Sequence, residues 1–285
     1  MTWRAGPAPG MIALMWLVRA SLAPGLLAAQ TASVSSAAPT LAADAVPAHT
    51  SFVVHSLILH EDRTINVYTP PRPETGDTLL PVLYMLDGGL AEDFPHVVNT
   101  IDSLIGLGRI APVIVVGIEN TQRRRDLTGP TSVSSDSAIA PHVGGSAAFR
   151  GFLRDELMPE VLARCRCSGE RAIVGESLAG LFVVETLLRE PALFQRYIAL
   201  SPSVWWNGGE LVRAAGAHAA GLTAGRVVFL TAANEEQIAD GTGSIAAALR
   251  AAAPGLTLYY EPRPDLEHGT IFRAMAPAAF ARALW

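Results

Sequence analysis

Residues 173–180 read Ile-Val-Gly-Glu-Ser-Leu-Ala-Gly, a pattern that few backbone arrangements accommodate. An apolar run passes into Gly-x-Ser-x-Ala-Gly and then into a helix-forming segment, which is the order of a strand, a sharp turn that exposes a serine, and a helix. The residues two before and two after the serine are small because this turn brings the strand and helix backbones together. The stretch therefore predicts that Ser177 is a nucleophile, with helix capping as the alternative interpretation.

The composition excludes several classes of function. The 285 residues are 50% hydrophobic and 16% charged, which is enough apolar sequence for a large core. The formal net charge of −5 argues against nucleic acid as a partner. All 21 basic residues are arginines, so Schiff-base lysines, Ser-Lys dyads and a phosphate-binding P-loop lysine are excluded.

The first 38 residues predict a signal peptide and a disordered lead-in. Arg4 supplies a positive start, residues 11–18 are continuously apolar, and small residues follow up to Ala38. The apolar run is too short to cross a bilayer and ends at Arg19, so we expect no stable membrane anchor. An uncleaved signal anchor or a disordered tail is the alternative. The prediction is a periplasmic or secreted protein, with residues 39–285 forming one domain.

Hydrophobic patterns in the rest of the chain alternate between strand and helix periods. Two alternating stretches, at residues 51–59 and 64–68, predict an N-terminal antiparallel hairpin. Later apolar strand patterns fall at residues 79–86, 112–118, 197–200, 226–231 and 256–261. Helical patterns fall at residues 92–107, 147–163, 178–188, 244–252 and 270–284. This alternation predicts an α/β-hydrolase fold with a mostly parallel central sheet covered by helices on both faces.

The polar segment 119–145 interrupts this alternation. It is rich in arginine and then in serine, proline and glycine. A connection of that length inside a compact domain is usually functional or disordered, so we expect one or the other here.

A serine nucleophile needs a base, and the base needs a third group that orients it. In the predicted fold these follow in the order serine, acid, histidine, on loops after later strands. Of the seven histidines only His268 follows the last predicted strand, which makes it the expected base. The strand at residues 226–231 leads to Glu235, the expected acid, with Glu236 or a Ser177–His268 dyad as alternatives.

Attack on a carbonyl also creates an oxyanion, which needs preorganised donors. The backbone N–H of Leu178, at the start of the helix after the serine, is one expected donor. The loop after the strand at residues 79–86 supplies the other, from Gly89 or its neighbour Gly88. A plain glycine turn is the alternative interpretation of this pair.

Two cysteines, Cys165 and Cys167, are separated by one residue. Their number is too small for a zinc site, and their spacing leaves either a strained local disulfide or two free thiols. Neither alternative points to chemistry at this position.

Several separated motifs resemble the Putative esterase family of α/β-hydrolases, which includes enterobactin-type siderophore esterases, feruloyl esterases, S-formylglutathione hydrolases and mycolyltransferases. Residues 83–89, Leu-Tyr-Met-Leu-Asp-Gly-Gly, are similar to its oxyanion strand, and residues 175–180 to its nucleophile turn. Ala179 stands where glycine is commoner. The stretches that resemble the siderophore-esterase branch are Arg-Arg-Arg-Asp-Leu-Thr at 123–128, Ser-Pro-Ser-Val-Trp-Trp at 201–206 and Glu-His-Gly-Thr-Ile at 267–271.

The resemblance implies hydrolysis of a small-molecule carboxylic ester through an acyl-enzyme, without metal or cofactor, with a siderophore lactone as the sharpest substrate. A general or feruloyl-type esterase is the alternative; an acyltransferase or a non-catalytic binding protein is the alternative of another class. Trp205 and Trp206 are the expected aromatic wall for the substrate and Arg125 the partner of its negative charge. Core packing by the tryptophans and an Arg125–Asp126 ion pair are the competing interpretations.

Overall fold

One eight-stranded sheet runs through the computed structural model, which describes residues 44–71, 78–222 and 224–285. The predicted signal peptide and lead-in lie outside these residues. The strands are β1 Thr50–Ser56, β2 Glu61–Tyr68, β3 Leu80–Met85, β4 Ile114–Ile118, β5 Cys167–Glu176, β6 Arg196–Leu200, β7 Val227–Thr231 and β8 Thr257–Tyr260. Their order across the sheet is β1-β2-β4-β3-β5-β6-β7-β8.

Strand directions confirm the predicted fold class. β1 and β2 form an antiparallel hairpin, and β2 pairs antiparallel with β4. From β4 onward, in the order β4-β3-β5-β6-β7-β8, each pair of adjacent strands is parallel. Because parallel strands end at the same edge, the loops after β3 to β8 converge there.

The hairpin turn lies earlier than the sequence pattern predicts. Glu61 and Asp62 belong to β2, and residues 57–60 form the turn, with His60 in the left-handed region at φ 56°. The carboxylate of Glu156 accepts from the Ser56 hydroxyl at 2.5 Å and from the Leu57 N–H at 2.9 Å. A residue about a hundred positions away therefore holds this turn, which local sequence cannot reveal.

The helices cover both faces of the sheet. They are α1 Phe94–Gly106, α2 Arg123–Asp126, α3 Ser134–Ser137, α4 Ser146–Phe152, α5 Met158–Arg164, α6 Leu178–Arg189, α7 Trp206–Ala219, α8 Glu236–Ala252 and α9 His268–Ala283. A π-helical segment, Leu153–Leu157, joins α4 to α5. In the part of the chain that the structure describes, no helix is both long and apolar enough to cross a bilayer.

Two hydrophobic layers follow from the alternation of side chains along the strands. In β3, Leu83 and Met85 pack with α1 and α9, whereas Val82 and Tyr84 pack with the layer that contains α4 to α8. Both faces of the central strands are thus apolar, which explains their continuous hydrophobic sequence.

The segment 119–145, expected to be functional or disordered, carries the short helices α2 and α3. Arg63 of β2, whose side chain is 0% exposed, anchors its beginning. The guanidinium donates to Asp126 at 2.6 Å, to Thr121 at 2.7 Å and to the carbonyl of Glu119 at 3.0 Å. Arg63 and its partners therefore attach this segment to the sheet next to the loop edge.

Candidate active site

Ser177 occupies the turn between β5 and α6 in a conformation that non-glycine residues rarely adopt. Its backbone has φ 59° and ψ −120°. The serine N–H donates to Leu200 at 3.0 Å, and its carbonyl accepts from Leu181 at 2.9 Å and Ser203 at 3.0 Å. These contacts with β6 and α6 hold the strained turn, which costs on the order of 1–3 kcal/mol.

The methyl group of Ala179 fits into this turn because Gly175 has no side chain. A Cβ on Gly175 would lie 2.5 Å from the carbonyl carbon of Ala179 and 2.7 Å from its methyl group. Ala179 itself is fully buried. Gly175, on the strand side of the turn, therefore makes room for the alanine at position 179, where glycine is commoner.

We expect Gly175→Ala to lower the free energy of unfolding by about 2 kcal/mol or more, because the new methyl overlaps backbone atoms that cannot move aside cheaply. Urea denaturation followed by circular dichroism measures the change. The matched control is Gly216→Ala in α7, where an added Cβ meets nothing within 4 Å. Equal stability of the two variants would contradict the crowding at Gly175.

His268 and Glu235 lie beside Ser177. Nε2 of His268 is 2.8 Å from the Ser177 Oγ, and Nδ1 is 2.7 Å from Oε2 of Glu235. The N–H of Asn234 donates to the carbonyl of Leu266 at 3.0 Å, which ties the loop after β7 to the loop after β8. The structure thus brings together the three residues that the sequence predicts as a triad.

Two further serines touch this group, and sequence reasoning gave neither of them a role. Ser201 Oγ is 3.3 Å from Nδ1 of His268, and Ser203 Oγ is 3.3 Å from Oγ of Ser177. Both follow β6, which pairs with β5, so their loop lies beside the serine turn. The position of Ser-Pro-Ser directly after a buried strand was the available signal.

The two predicted oxyanion donors differ in whether their N–H groups already have an acceptor. Leu178 is the first residue of α6, so its N–H has no acceptor within the helix. The N–H of Gly89 donates to Oε2 of Glu92 at 2.7 Å, and that of Gly88 donates to the carbonyl of Ile118 at 2.9 Å. A role for Gly89 requires that its contact with Glu92 break.

Glu176, the last residue of β5, also reaches the histidine. Its Oε1 lies 3.2 Å from Nε2 of His268, the nitrogen that contacts Ser177. The Glu176 side chain is 17% exposed. Glu176 is a variable position of the serine motif, and no sequence signal indicates the direction of its side chain.

The surroundings of Glu176 favour its neutral form. Burial raises the pKa of Glu176 to about 8, against the opposing effect of the Arg123 guanidinium. The neighbouring carboxylates of Asp87, Asp93 and Glu235 raise it further. Glu176 is therefore largely a protonated carboxylic acid at pH 7, whereas an ordinary glutamate is ionised there.

Arg123 is the arginine of the 123–125 triplet that lies nearest this site. It binds Asp87, in the turn after β3, with Nε at 2.6 Å and Nη2 at 2.7 Å from the two carboxylate oxygens. Burial and the charge of Asp87 also raise the pKa of Asp93 to about 6. The site is thus rich in carboxyl groups and holds one closely paired cation.

Two predicted substrate-binding residues are engaged elsewhere. Arg125 donates to Asp126 at 2.6 Å and to the two carboxylate oxygens of Glu61 at 2.7 and 3.0 Å. It therefore forms the Arg125–Asp126 ion pair of the alternative interpretation. Trp206 is 4% exposed and donates to the carbonyl of Gly129 at 2.8 Å, so it packs in the core and holds the 119–145 segment. Both placements correct the prediction, because the partners come from distant parts of the chain.

Trp205 has a different environment. It is half-buried and lines a cavity of about 500 Å³ between α7 and α8, together with Gly208, Gly209, Gln237 and Asp240. The residues that line this cavity do not include Ser177, Glu235 or His268. A substrate-binding role for Trp205 therefore stays a prediction.

Cys165 and Cys167 form a disulfide at the start of β5, at the opposite end of this strand from Ser177. Of the two alternatives that the spacing leaves open, the structure has the local bridge. In the described ranges, no cluster of three or more His, Cys, Asp or Glu side chains is placed to hold a metal ion.

The sheet order, the strained serine turn after β5 and the histidine after β8 define an α/β-hydrolase. A family model described as Putative esterase matches residues 56–252, which is more than half of the chain. The chain therefore belongs to the Putative esterase family, as its motifs predicted.

Two curated relatives resemble part of the chain. The ferri-bacillibactin esterase BesA of Bacillus subtilis is 34% identical over 173 residues, covering 52% of this chain and 56% of the relative. The siderophore triacetylfusarinine C esterase of Aspergillus fumigatus is 33% identical over 145 residues, covering 47% and 48%. The chain thus spans about half the length of these relatives.

Solved structures extend the similarity to most of the domain. An IroE-like serine hydrolase from Shewanella oneidensis superposes with a TM-score of 0.75 at 25% identity, covering 82% of this chain and 79% of the other. The enterobactin esterase FES of Shigella flexneri, solved in the presence of enterobactin, gives a TM-score of 0.66 at 19% identity, covering 85% and 60%. The second likeness concerns the fold alone.

Proposed function

We propose that this protein is a serine esterase that hydrolyses carboxylic esters through an acyl-enzyme. The observation that carries the proposal is the continuous line of contacts from Ser177 Oγ to His268 Nε2, at 2.8 Å, and from His268 Nδ1 to Glu235, at 2.7 Å. A nucleophile, a base and an orienting acid at hydrogen-bond distance are the parts that acyl transfer requires.

In the first step, the Ser177 Oγ forms a bond to the ester carbonyl carbon while its proton passes to His268 Nε2. Glu235 accepts the Nδ1–H, which keeps Nε2 available as the base and stabilises the imidazolium that forms. The Leu178 N–H, unpaired within α6, donates to the oxyanion.

The proton on Nε2 then moves to the oxygen of the departing alcohol as the carbon–oxygen bond breaks, leaving an acyl group on Ser177. In the second step water attacks the acyl carbon while His268 Nε2 takes a proton from it. Nε2 then returns this proton to Ser177 Oγ as the bond between Oγ and the acyl carbon breaks, which releases the carboxylic acid. The hydroxyl of Ser203 lies 3.3 Å from Oγ, and either hydroxyl can donate in this contact.

The most specific substrate that we propose is a siderophore lactone. The relatives described as esterases of ferri-bacillibactin and triacetylfusarinine C support this class, and the half-buried Trp205, which lines a cavity between α7 and α8, is the proposed aromatic surface for the substrate. A general or feruloyl-type carboxylesterase is the alternative, since the reaction at Ser177 would be the same.

A comparison of kcat/KM on three esters tests the substrate: a ferric trilactone siderophore, a feruloyl ester and a short p-nitrophenyl ester. We expect the trilactone to be hydrolysed at least about tenfold more efficiently, a difference of about 1.4 kcal/mol in transition-state binding. No turnover of the trilactone, with turnover of the other two, would leave only the general esterase.

We also propose that the protein is exported, because residues 1–38 combine a positive start, an apolar run and small residues. Expression of the full chain in a Gram-negative host, followed by fractionation and N-terminal sequencing, tests the proposal. The expected result is a periplasmic or secreted chain shortened between residues 28 and 38; an intact cytosolic chain would contradict it.

A further inference from the structure

Nε2 of His268 has two neighbours in this structure, and only one of them belongs to the triad. Ser177 Oγ lies at 2.8 Å and Glu176 Oε1 at 3.2 Å. Since Nε2 carries at most one proton, a hydrogen bond from Nε2–H to one neighbour weakens the bond to the other.

We propose that Glu176 is a second proton-dependent partner of the catalytic histidine, which permits ester hydrolysis while it is a neutral acid and opposes it once it is a carboxylate. This inference rests on the proposed function, since it gives Glu176 a role in the same reaction. Glu176 is the last residue of β5 and Ser177 follows it directly, so the end of this strand places both residues beside His268.

The movement of protons during the reaction explains why the charge of Glu176 would affect ester hydrolysis. During acylation the Ser177 proton moves to Nε2 as the bond between Oγ and the carbonyl carbon forms, and it must then pass to the alkoxide of the leaving alcohol. A neutral Glu176 keeps its own proton, and its carbonyl oxygen accepts only a weaker, uncharged hydrogen bond from the Nε2–H. A Glu176 carboxylate accepts a charge-assisted hydrogen bond from the Nε2–H, which holds the proton away from the leaving group.

The groups that face Glu176 come from four different segments of the chain. Arg123 of α2 is the cation among them; Asp87 and Asp93, in the connection between β3 and α1, and Glu235 before α8 carry carboxyl groups; His268 begins α9. Burial and these carboxylates, opposed by Arg123, raise the pKa of Glu176 to about 8. The neutral form therefore predominates at pH 7, and the carboxylate predominates at pH 9.

The closing experiment compares kcat/KM on a p-nitrophenyl ester at pH 7 and pH 9, corrected for hydrolysis without enzyme. For the wild-type protein we expect the pH 9 value to be about a tenth of the pH 7 value, the fall that an ionisation near pH 8 produces. Glu176→Gln cannot ionise, so its ratio between the two pH values is expected to rise about tenfold. Glu170→Gln, an exposed change of the same charge on β5, is expected to keep the wild-type ratio.

A second measurement does not depend on turnover. In the Ser177→Ala protein labelled with ¹⁵N-histidine, the His268 ring signals are expected to show an inflection near pH 8, and Glu176→Gln is expected to remove it. A ratio within twofold of the wild type in Glu176→Gln, or persistence of the inflection, would overturn the role of Glu176. Absence of turnover from the wild-type protein would count against the esterase instead, because the inflection tests Glu176 by itself.

Discussion

Ser177→Ala is expected to lower kcat/KM for ester hydrolysis by about 10⁴-fold or more, because the hydroxyl that forms the acyl-enzyme is removed. Labelling by a fluorophosphonate probe is expected to disappear as well, since the probe reacts with the same oxygen. The fold is expected to persist, because alanine keeps the Cβ and the backbone contacts that hold the turn at φ 59°.

The matched control is Ser168→Ala, at the opposite end of the same strand, β5. It removes an identical group and is expected to leave activity and labelling at the wild-type level. Thermal unfolding of both variants verifies the fold. More than about 1% residual activity in a clean preparation of Ser177→Ala would exclude the mechanism through Ser177.

Glu235→Gln is expected to lower kcat by about a hundredfold or more. The amide has no charge to stabilise the imidazolium, and its NH₂ group can turn toward Nδ1 and favour the wrong tautomer of His268. The effect is expected to be smaller than for a fully buried acid, because the Glu235 side chain is 45% exposed and water partly replaces it.

Glu236→Gln is the matched control, since Glu236 is exposed in the first turn of α8 and carries the same charge. We expect it to change kcat by less than about twofold. Single-turnover measurements, which separate acylation from product release, should place the Glu235→Gln defect in the chemical steps. The reverse ranking of the two variants would move the acid to Glu236.

Much of the architecture was predictable because it rests on local periodicity. Strands buried on both faces read as continuous apolar runs, and the order of strands and helices indicated a mostly parallel sheet. One difference was α8, which begins at Glu236 instead of residue 244. Gly241 and Gly243 interrupt its helical pattern, and packing of Ile238 and Thr242 in the buried interior compensates for them.

The proximity of the three residues of the proposed triad was predictable for a topological reason. Ser177, Glu235 and His268 each follow a strand or open the helix after it, and the carboxyl ends of parallel strands meet at one edge. Their proximity in space follows from this order, and the structure places them within 2.8 Å of one another along the chain of contacts.

Contacts between side chains from distant segments were not predictable. Arg125 was expected to meet the substrate, but Glu61 of β2 and Asp126 bind it, and Arg123 lies beside the site instead. Gly89 was expected to donate to an oxyanion, but Glu92 accepts from its N–H. A single sequence shows which donors and acceptors are present, but it does not show which of them form hydrogen bonds in the folded protein.

By itself, the sequence determined the fold class, the serine turn and the order of Ser177, Glu235 and His268 after successive strands, because hydrophobic period and strand order act along the chain. The tertiary structure alone decided that Gly175 makes room for Ala179, that Trp206 is a core residue, and that Glu176 lies 3.2 Å from the histidine. These outcomes depend on packing and burial, which set side-chain direction and shift the pKa of a carboxyl group according to its neighbours in space.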